Sequence, residues 1–362
     1  MKLPITLPSL PKLPTLPSLA KLPELLAPLR MLPGMKAGPA LKAGLADLTK
    51  AHRVFTPKST TASGSELQEM AVVGANPGAL RMLRFVPPNL PPHAPLVVVL
   101  HGCTQTGAVY DRGSGWSTLA TRHGFALLYP EQQRSNNPNV CFNWFEPADT
   151  TRGQGEVASI QAMVAATVAD LGCDPARVFV TGLSAGGAMT AALLATYPDT
   201  FTAGAIIAGL PYGAARSTQE ALGAMFHPTP RPPAALAAAV TGASPVRRRP
   251  AVAIWHGTAD TTVVPANATE SVRQWVEVHG LREQDGVSGT VDGTAHTSWR
   301  DTAGKVCVES FMVSGMGHGT PIDPTATDGR GVGTPMPYML AAPISSTWHI
   351  ARNWGVLRPS TT

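Results

Sequence analysis

The sequence predicts an α/β protein in which helices cover both faces of a mostly parallel central sheet. Short apolar runs rich in β-branched residues recur between residues 95 and 315, as is typical of strands that are buried on both faces. Between these runs lie stretches with apolar residues at steps of three and four, which are typical of helices. Strand and helix therefore alternate, and this alternation favours parallel strands joined by helical crossovers.

The first predicted strand is "PLVVVLHG" at residues 95–102. Five later runs have the same character and lie at residues 125–130, 177–182, 203–209, 251–257 and 308–315. The clearest helix is marked by Val157, Ile160, Val164, Val168 and Leu171. Residues 211–250 form a long, irregular, proline-rich connection, which we interpret as an insertion over the functional site and a partial lid.

Length and composition indicate a globular protein with a large core. The chain has 362 residues, of which 44% are hydrophobic, so it can bury a sizeable core. The formal net charge of +5 is spread along the chain, and three arginines at 247–249 are its one local concentration. Such a short basic loop is typically solvated, so we predict no nucleic-acid binding. The sequence shows no signal-peptide pattern and no membrane-spanning run, which predicts a cytoplasmic protein without membrane insertion.

The N-terminal region differs in texture from the rest. The sequence predicts an arm rich in Leu and Pro at residues 1–45, a polar linker at residues 46–65 and the folded α/β domain at residues 66–362. From residue 7 to residue 22 every third residue is Leu, which matches the three residues per turn of polyproline II. Extended in this way, residues 7–24 would span about 55 Å. Two interpretations stay open, a surface linker without a partner and an adhesive strip for an apolar surface.

The four cysteines are widely spaced and contain no C-x-x-C pair, which argues against a structural zinc site. They are Cys103, Cys141, Cys173 and Cys307. Without an export signal, reduced thiols are the default expectation. A bridge remains an alternative, and Cys103 to Cys141 is the pairing to test first.

A nucleophile elbow is the strongest local signal. "GLSAG" at residues 182–186 follows the predicted strand "RVFVTG" and precedes a small-residue helical pattern. This is the strand–turn–helix context that the G-x-S-x-G motif requires, and it predicts Ser184 as a nucleophile. The flanking glycines fit because larger side chains would collide with neighbouring backbone in so sharp a turn. The alternative is a serine that caps an ordinary helix.

A serine nucleophile needs a histidine to accept its proton and a carboxylate to orient that histidine. With an elbow of this kind the chain order is Ser, acid, His. Asp260 follows a predicted strand in "WHGTADTTVVP", and His318 lies in the glycine-flanked loop "VSGMGHGTP" after the last predicted strand. We therefore predict Asp260 as the acid and His318 as the base. An Asp in an ordinary turn is the alternative for Asp260.

Four other histidines are less well placed to serve as the general base. His101 and His256 end strands directly before a glycine, and we interpret them as structural supports of their loops. His296 precedes the last predicted strand and His349 belongs to the helical pattern "SSTWHIARNW", where core or surface roles are expected.

A tetrahedral oxyanion needs two backbone donors, one after the nucleophile and one from the loop after an early strand. Ala185 provides the first predicted amide, and Cys103 in "LHGCTQT" provides the second. Losing one such donor typically slows turnover by about 10²- to 10³-fold.

Six motifs in order resemble the polyhydroxybutyrate depolymerase family of esterases, a branch of the α/β-hydrolases. They are "LHGCTQT", "CFNWFEP", "VTGLSAGGAMT", "AGLPYGAA", "HGTADTTVVP" and "GMGHG". The resemblance implies an α/β-hydrolase fold, a triad of Ser184, Asp260 and His318, and an oxyanion hole at Cys103 and Ala185. It also implies that Asn143 and Trp144 line the substrate cleft, although a core role for the tryptophan is an alternative.

The resemblance further implies hydrolysis of poly(3-hydroxybutyrate) and its oligomers, without a metal or organic cofactor. The chain looks most like the intracellular members, because we expect neither an export signal nor a separate substrate-binding domain. Such an enzyme must stay on a polymer granule, and we expect residues 7–26 to adsorb there. The alternatives are a feruloyl or acetylxylan esterase and, in another class, a non-catalytic granule-binding protein.

Overall fold

The computed structural model describes residues 67–72 and 74–358. The predicted arm, the linker and the adsorbing segment at residues 7–26 lie outside these residues. Among the described residues, ten strands form one sheet in the order β1-β2-β4-β3-β5-β6-β7-β10-β9-β8. The strands are β1 Gln68–Met70, β2 Arg81–Phe85, β3 Leu96–Leu100, β4 Ala126–Glu131, β5 Val178–Leu183, β6 Ala203–Ile207, β7 Ala251–Gly257, β8 Val287–Val291, β9 Thr294–Arg300 and β10 Val306–Val313.

The centre of the sheet is parallel and its two ends are antiparallel. Strands β4, β3, β5, β6, β7 and β10 pair in parallel with their neighbours in that order. Strands β1 and β2 extend one end, and β9 and β8 extend the other, each in antiparallel pairing. A separate parallel pair consists of β11 Thr320–Ile322 and β12 Met339–Ala341. The mostly parallel sheet that the sequence predicted is confirmed.

Helices pack on both faces of this sheet. They are α1 Gly107–Ser114, α2 Trp116–His123, α3 Pro147–Thr150, α4 Gly155–Leu171, α5 Ala185–Thr196, α6 Thr218–Phe226, α7 Pro233–Gly242, α8 Ala266–Val278 and α9 Ser346–Asn353. Alternate residues of β3 enter two separate cores, because successive strand side chains point to opposite faces. Val98 packs in the core that includes residues of α4, α5 and α8, whereas Val97 packs in the core that includes residues of α1, α2 and α9.

The insertion at residues 211–250 is more regular than the sequence analysis expected. It contains α6 and α7, so the expectation of an irregular connection is wrong for these two stretches. Ser217 caps α6 by accepting a hydrogen bond from the amide of Glu220, and Pro233 occupies the first turn of α7, where its missing N–H costs nothing. The side-chain amide of Gln274 in α8 donates to the carbonyl of Leu236 in α7 over 3.0 Å. The insertion is therefore anchored on the helical layer.

Among the described residues, no helix combines the length and apolar character needed to cross a bilayer. The same residues contain no cluster of three or more side chains suited to hold a metal ion.

Candidate active site

Ser184 lies in a strained turn between β5 and α5. Its backbone has φ 58° and ψ −117°, a region that residues other than glycine rarely adopt. The amide of Ser184 donates to the carbonyl of Ile207 in β6 over 2.9 Å, and the carbonyl of Ser184 accepts from the amide of Ala188 over 2.9 Å. The turn is thus fixed from both sides, and the partly exposed serine stands at the carboxyl edge of the sheet.

The two glycines of the elbow are required by close backbone approach. A Cβ at Gly182 would lie 2.4 Å from the carbonyl oxygen of Gly186. A Cβ at Gly186 would lie 2.5 Å from the carbonyl oxygen of Leu100 and 2.6 Å from that of His101. The collision that the sequence predicted for larger side chains is confirmed, and it involves rigid backbone atoms.

Asp260 and His318 are hydrogen-bonded to each other. Asp260 follows β7 and His318 follows β10, and these two strands are parallel neighbours. Nδ1 of His318 lies 2.7 Å from Oδ2 of Asp260, while Oδ1 of Asp260 accepts from the amides of Thr262 and Val263, each over 2.9 Å. A carboxylate only accepts, so Nδ1 carries the proton and Nε2 is the basic nitrogen of the ring.

The environment of Asp260 favours its charged form. The residue is 2% exposed, and such burial would raise its pKa. Hydrogen bonds from His256 and His318 outweigh burial and hold the pKa of Asp260 below its ordinary value. Asp260 is therefore an anion throughout the neutral pH range.

The acid loop and the base loop are bound together by backbone contacts. The amide of Thr258 donates to the carbonyl of Val313 and the amide of Ala259 to that of Met316, each over 3.0 Å. The hydroxyl of Thr258 accepts from the amide of Gly315 over 2.8 Å. A Cβ at Gly257 would lie only 2.2 Å from the carbonyl oxygen of Met316. The two loops therefore hold their relative position without depending on the Asp–His contact alone.

Ser184 follows β5, which β6 separates from β7. Neighbouring strands are about 4.8 Å apart, so the β5 and β7 axes are separated by about 10 Å. Because β5, β7 and β10 run in the same direction, all three predicted triad residues emerge at one edge of the sheet.

The two predicted oxyanion amides have no acceptor among the described residues. The neighbouring amides of Gly102 and Thr104 do have acceptors, namely Oε1 of Gln105 at 2.9 Å and the carbonyl of Asn139 at 2.8 Å. Ala185 is the first residue of α5, where an amide lacks an intrahelical acceptor and the helix dipole favours negative charge. The amides of Cys103 and Ala185 are thus available to a negatively charged ligand.

A disulfide joins Cys103 to Cys141, with a Cα–Cα distance of 4.2 Å. The default expectation of reduced thiols is wrong for this pair, and the pairing that the sequence marked for testing is the one that forms. The reason is spatial, because the Thr104–Asn139 hydrogen bond brings the two loops side by side although 38 positions separate the cysteines. Cys173 and Cys307 are free and buried.

Asn143 and Trp144 lie beside this bridge in the loop that precedes α3. The amide of Asn143 donates to Oε2 of Glu156 over 3.0 Å, and its side-chain oxygen accepts from Asn137 over 3.0 Å. Trp144 is 9% exposed, packs in the core and meets Phe145 edge to face. These contacts agree with the core alternative for Trp144, and a role for either residue in the cleft stays a prediction.

Glu156 is a buried carboxyl that the sequence analysis missed. Its Oε1 accepts from the side-chain amide of Gln132 over 2.5 Å. Burial and the nearby charge of Asp149 raise the pKa of Glu156 to about 8. The backbone amide of Gln132 in turn donates to Nε2 of His101 over 3.1 Å. Through Gln132 and Asn143, Glu156 therefore supports the loops that carry the two bridged cysteines. A lone Glu at the start of a helix gave no sequence signal of burial.

The four other histidines weighed in the sequence have structural contacts. Nδ1 of His101 lies 2.8 Å from the carbonyl of Gly102, and burial lowers the pKa of His101, as expected of a neutral ring. His296 contacts Glu309 over 2.9 Å, and His349 contacts Asp292 over 2.8 Å. His256 differs because its Nε2 lies 3.4 Å from Oδ2 of Asp260. The four-residue spacing in "HGTAD" was the available signal of this contact, but it did not reveal that the turn folds back.

A nucleophile elbow at the centre of a mostly parallel, helix-covered sheet defines the α/β-hydrolase class, in which Ser, acid and His follow one another along the chain. Comparison with known proteins then places the chain more narrowly. It belongs to the Esterase PHB depolymerase family, whose profile matches residues 82–296.

Several relatives are similar over most of the chain. Poly(3-hydroxyalkanoate) depolymerase C of Paucimonas lemoignei is 44% identical over 300 residues, which cover 82% of this chain and 72% of that protein. Feruloyl esterase B of Neurospora crassa is 35% identical over 276 residues, or 72% of this chain and 91% of that protein. The solved structure of acetyl xylan esterase from Aspergillus awamori has a TM-score of 0.65 at 30% identity and covers 70% of this chain and 93% of that one. The protein is a carboxylic ester hydrolase.

Proposed function

We propose that the protein is a serine esterase that hydrolyses poly(3-hydroxybutyrate) and its oligomers through an acyl-enzyme. The observation that carries the chemistry is the Asp260–His318 hydrogen bond of 2.7 Å at the same sheet edge as the strained Ser184. The choice of polymer rests on similarity, because the Paucimonas lemoignei depolymerase is 44% identical to this chain.

In the proposed mechanism, Oγ of Ser184 attacks the ester carbonyl while Nε2 of His318 accepts the hydroxyl proton. Asp260 holds the imidazole in the Nδ1–H form and stabilises the imidazolium that results. The amides of Cys103 and Ala185 donate to the oxyanion of the tetrahedral intermediate. The protonated His318 gives its proton to the departing alcohol, and a water activated by the same histidine then releases the hydroxyacid.

A second candidate substrate is an acetyl or feruloyl ester on plant polysaccharide. The observation in its favour is the similarity to Feruloyl esterase B and to the acetyl xylan esterase structure. Both candidates use the same triad and oxyanion hole, so the difference lies in the groups that bind the rest of the substrate. We propose Asn143 and Trp144 for that part of the cleft.

Adsorption to an insoluble polyester calls for exposed apolar surface. Among the described residues, the exposed large hydrophobic side chains are Val86, Leu222 and Val287, which lie on three different elements or loops. We propose that residues 7–26 supply this surface instead, because the six leucines that recur every third residue from 7 to 22 would share one edge of a polyproline II helix. A cytoplasmic, granule-associated location stays a prediction, and the Cys103–Cys141 bridge counts against it because disulfides persist mainly in oxidising compartments.

The test is incubation of the purified full-length protein with amorphous poly(3-hydroxybutyrate) granules and, separately, with acetylated and feruloylated xylan. Mass spectrometry of the soluble products should find 3-hydroxybutyrate and its oligomers. The matched control is Ser184→Ala, which should release nothing while it still sediments with the granules. Release of acetate or ferulate without hydroxyacids would favour the second candidate. Granule binding without any Ser184-dependent release or fluorophosphonate labelling would favour the non-catalytic alternative.

A further inference from the structure

His256 is a second histidine beside Asp260 that the mechanism above does not use. It is the penultimate residue of β7, four residues before Asp260, and it is 1% exposed. Its Nε2 lies 3.4 Å from Oδ2 of Asp260, the same oxygen that Nδ1 of His318 contacts at 2.7 Å. One carboxylate oxygen therefore lies between two imidazole rings.

The hydrogen bonds of His256 fix its tautomer. Nε2 lies 2.7 Å from the carbonyl oxygen of Val263, which can only accept, so Nε2 carries a proton. Nδ1 is buried and has no hydrogen-bond partner among the described residues. Nε2 is therefore the nitrogen through which His256 donates to its surroundings.

Besides His318, two sets of groups contact the carboxylate of Asp260, one at each oxygen. The amides of Thr262 and Val263 bind Oδ1, and His256 approaches Oδ2 from the strand behind. The Nε2–H of His256 donates to the carbonyl of Val263 over 2.7 Å and lies 3.4 Å from Oδ2 of Asp260, so the ring links the carboxylate to the turn that carries it. His318 arrives from the loop after β10 and is the third group on this carboxylate.

We propose that His256 is a positioning residue, whose Nε2–H fixes the side-chain rotamer of Asp260 so that Oδ2 faces Nδ1 of His318. The proposal rests on the proposed function, since it assigns His256 a task within the same triad. It acts through Asp260 and does not touch the reacting atoms. Without this donor, the carboxylate can rotate away from His318 while the backbone around it stays folded.

The test compares three substitutions of His256 in the full-length protein, with p-nitrophenyl butyrate as the substrate. Glutamine can place its amide nitrogen where Nε2 of the histidine lies, whereas asparagine is too short and leucine has no donor. We expect His256→Leu and His256→Asn to lower kcat about 10- to 100-fold, as for loss of a charge-assisted hydrogen bond, with KM changed less than about twofold. His256→Gln should recover kcat to within about threefold of the wild type.

Thermal unfolding midpoints, measured on the same samples, separate positioning from packing. Equal kcat in His256→Gln and His256→Asn, or losses of kcat that follow the unfolding midpoints, would overturn the proposal. If His256→Leu fails to fold, the comparison of His256→Gln with His256→Asn still tests the positioning role. Ser184→Ala is measured in parallel, because residual activity in that variant would refute the proposed function. If Ser184→Ala is inactive and the His256 variants keep wild-type kcat, only the positioning role is refuted.

Discussion

Replacing Gly257 with Ala tests whether the acid and base loops depend on their close backbone approach. The added Cβ would lie 2.2 Å from the carbonyl oxygen of Met316 and 2.6 Å from that of Gly317. Reaching an ordinary contact of 3.4 Å requires the 316–317 turn to move by about 1.2 Å. His318 follows that turn directly, so the same shift would stretch its 2.7 Å bond to Asp260 beyond hydrogen-bonding distance.

The expected magnitude follows from this displacement. A misplacement of about 1 Å in a catalytic arrangement costs about 100-fold in rate, and overpacking adds about 1–3 kcal/mol of lost stability. We therefore expect Gly257→Ala to lower kcat on p-nitrophenyl butyrate about 100-fold while the protein remains folded at 25 °C. Steady-state kinetics and a urea unfolding curve measure the two effects separately.

Gly317 offers a matched control in the same loop. Apart from its chain neighbours, no heavy atom of the described residues would lie within 4 Å of a Cβ at Gly317, and the φ of Gly317 lies outside the left-handed region. Gly317→Ala should therefore keep kcat within about threefold of the wild type. Equal activity of the two alanine variants, or an equal loss in both, would refute the reasoning from backbone contact.

Three further predictions concern the bridge, a buried carboxyl and the N-terminal arm. Replacing Cys103 and Cys141 with serine should lower the unfolding free energy by about 4 kcal/mol, because that is the chain-entropy value for a closed loop of about 40 residues. Urea unfolding measures this loss, and an unchanged unfolding midpoint would contradict the prediction. Folding raises the pKa of Glu156 from 4.5 to about 8, so the folded state binds a proton at pH values where the unfolded state has lost it. The resulting contribution to the unfolding free energy is fully present below pH 4.5 and is lost as pH rises to about 8. The stability of wild type relative to Glu156→Gln should therefore fall between pH 5 and 8, by at most about 1.4 kcal/mol per pH unit, and parallel unfolding curves would contradict this. Changing the six leucines of residues 7–24 to serine should abolish sedimentation with polyester granules and leave p-nitrophenyl butyrate hydrolysis unchanged; equal sedimentation would remove the arm from the proposal.

The central strands could be predicted because they are largely buried on both faces and therefore read as mostly apolar runs, although β10 includes Glu309 and Ser310 and is only partly buried. The strands β1, β2, β8 and β9 gave no such signal, since they form the antiparallel ends of the sheet. All five residues of β8 are exposed or half-buried, and their sequence "VSGTV" is the one expected of a solvated strand. Helices α6 and α7 were missed because the prolines around them dominated the local pattern, although Pro233 in fact begins a helix.

The positions of the predicted triad could be inferred because motif order and strand ends together fix which loops meet. What the sequence could not provide were contacts that depend on how two loops lie against each other. The Cys103–Cys141 bridge is one example, since only the folded loops bring these cysteines together. The approach of His256 to Asp260 is another, because it requires the turn after β7 to fold back on the strand end.

The order of strands at the centre of the sheet divides the proposed reacting groups into two halves that are supported by separate contacts. One half holds Ser184 and the two predicted oxyanion amides, which follow β3 and β5, and the Cys103–Cys141 bridge secures the loop after β3. The other half holds Asp260 and His318, which follow β7 and β10. Strand β6 lies between them and contributes the carbonyl of Ile207 that anchors the elbow. If the proposed roles hold, we expect substitutions on opposite sides of β6 to alter carbonyl polarisation and proton transfer independently.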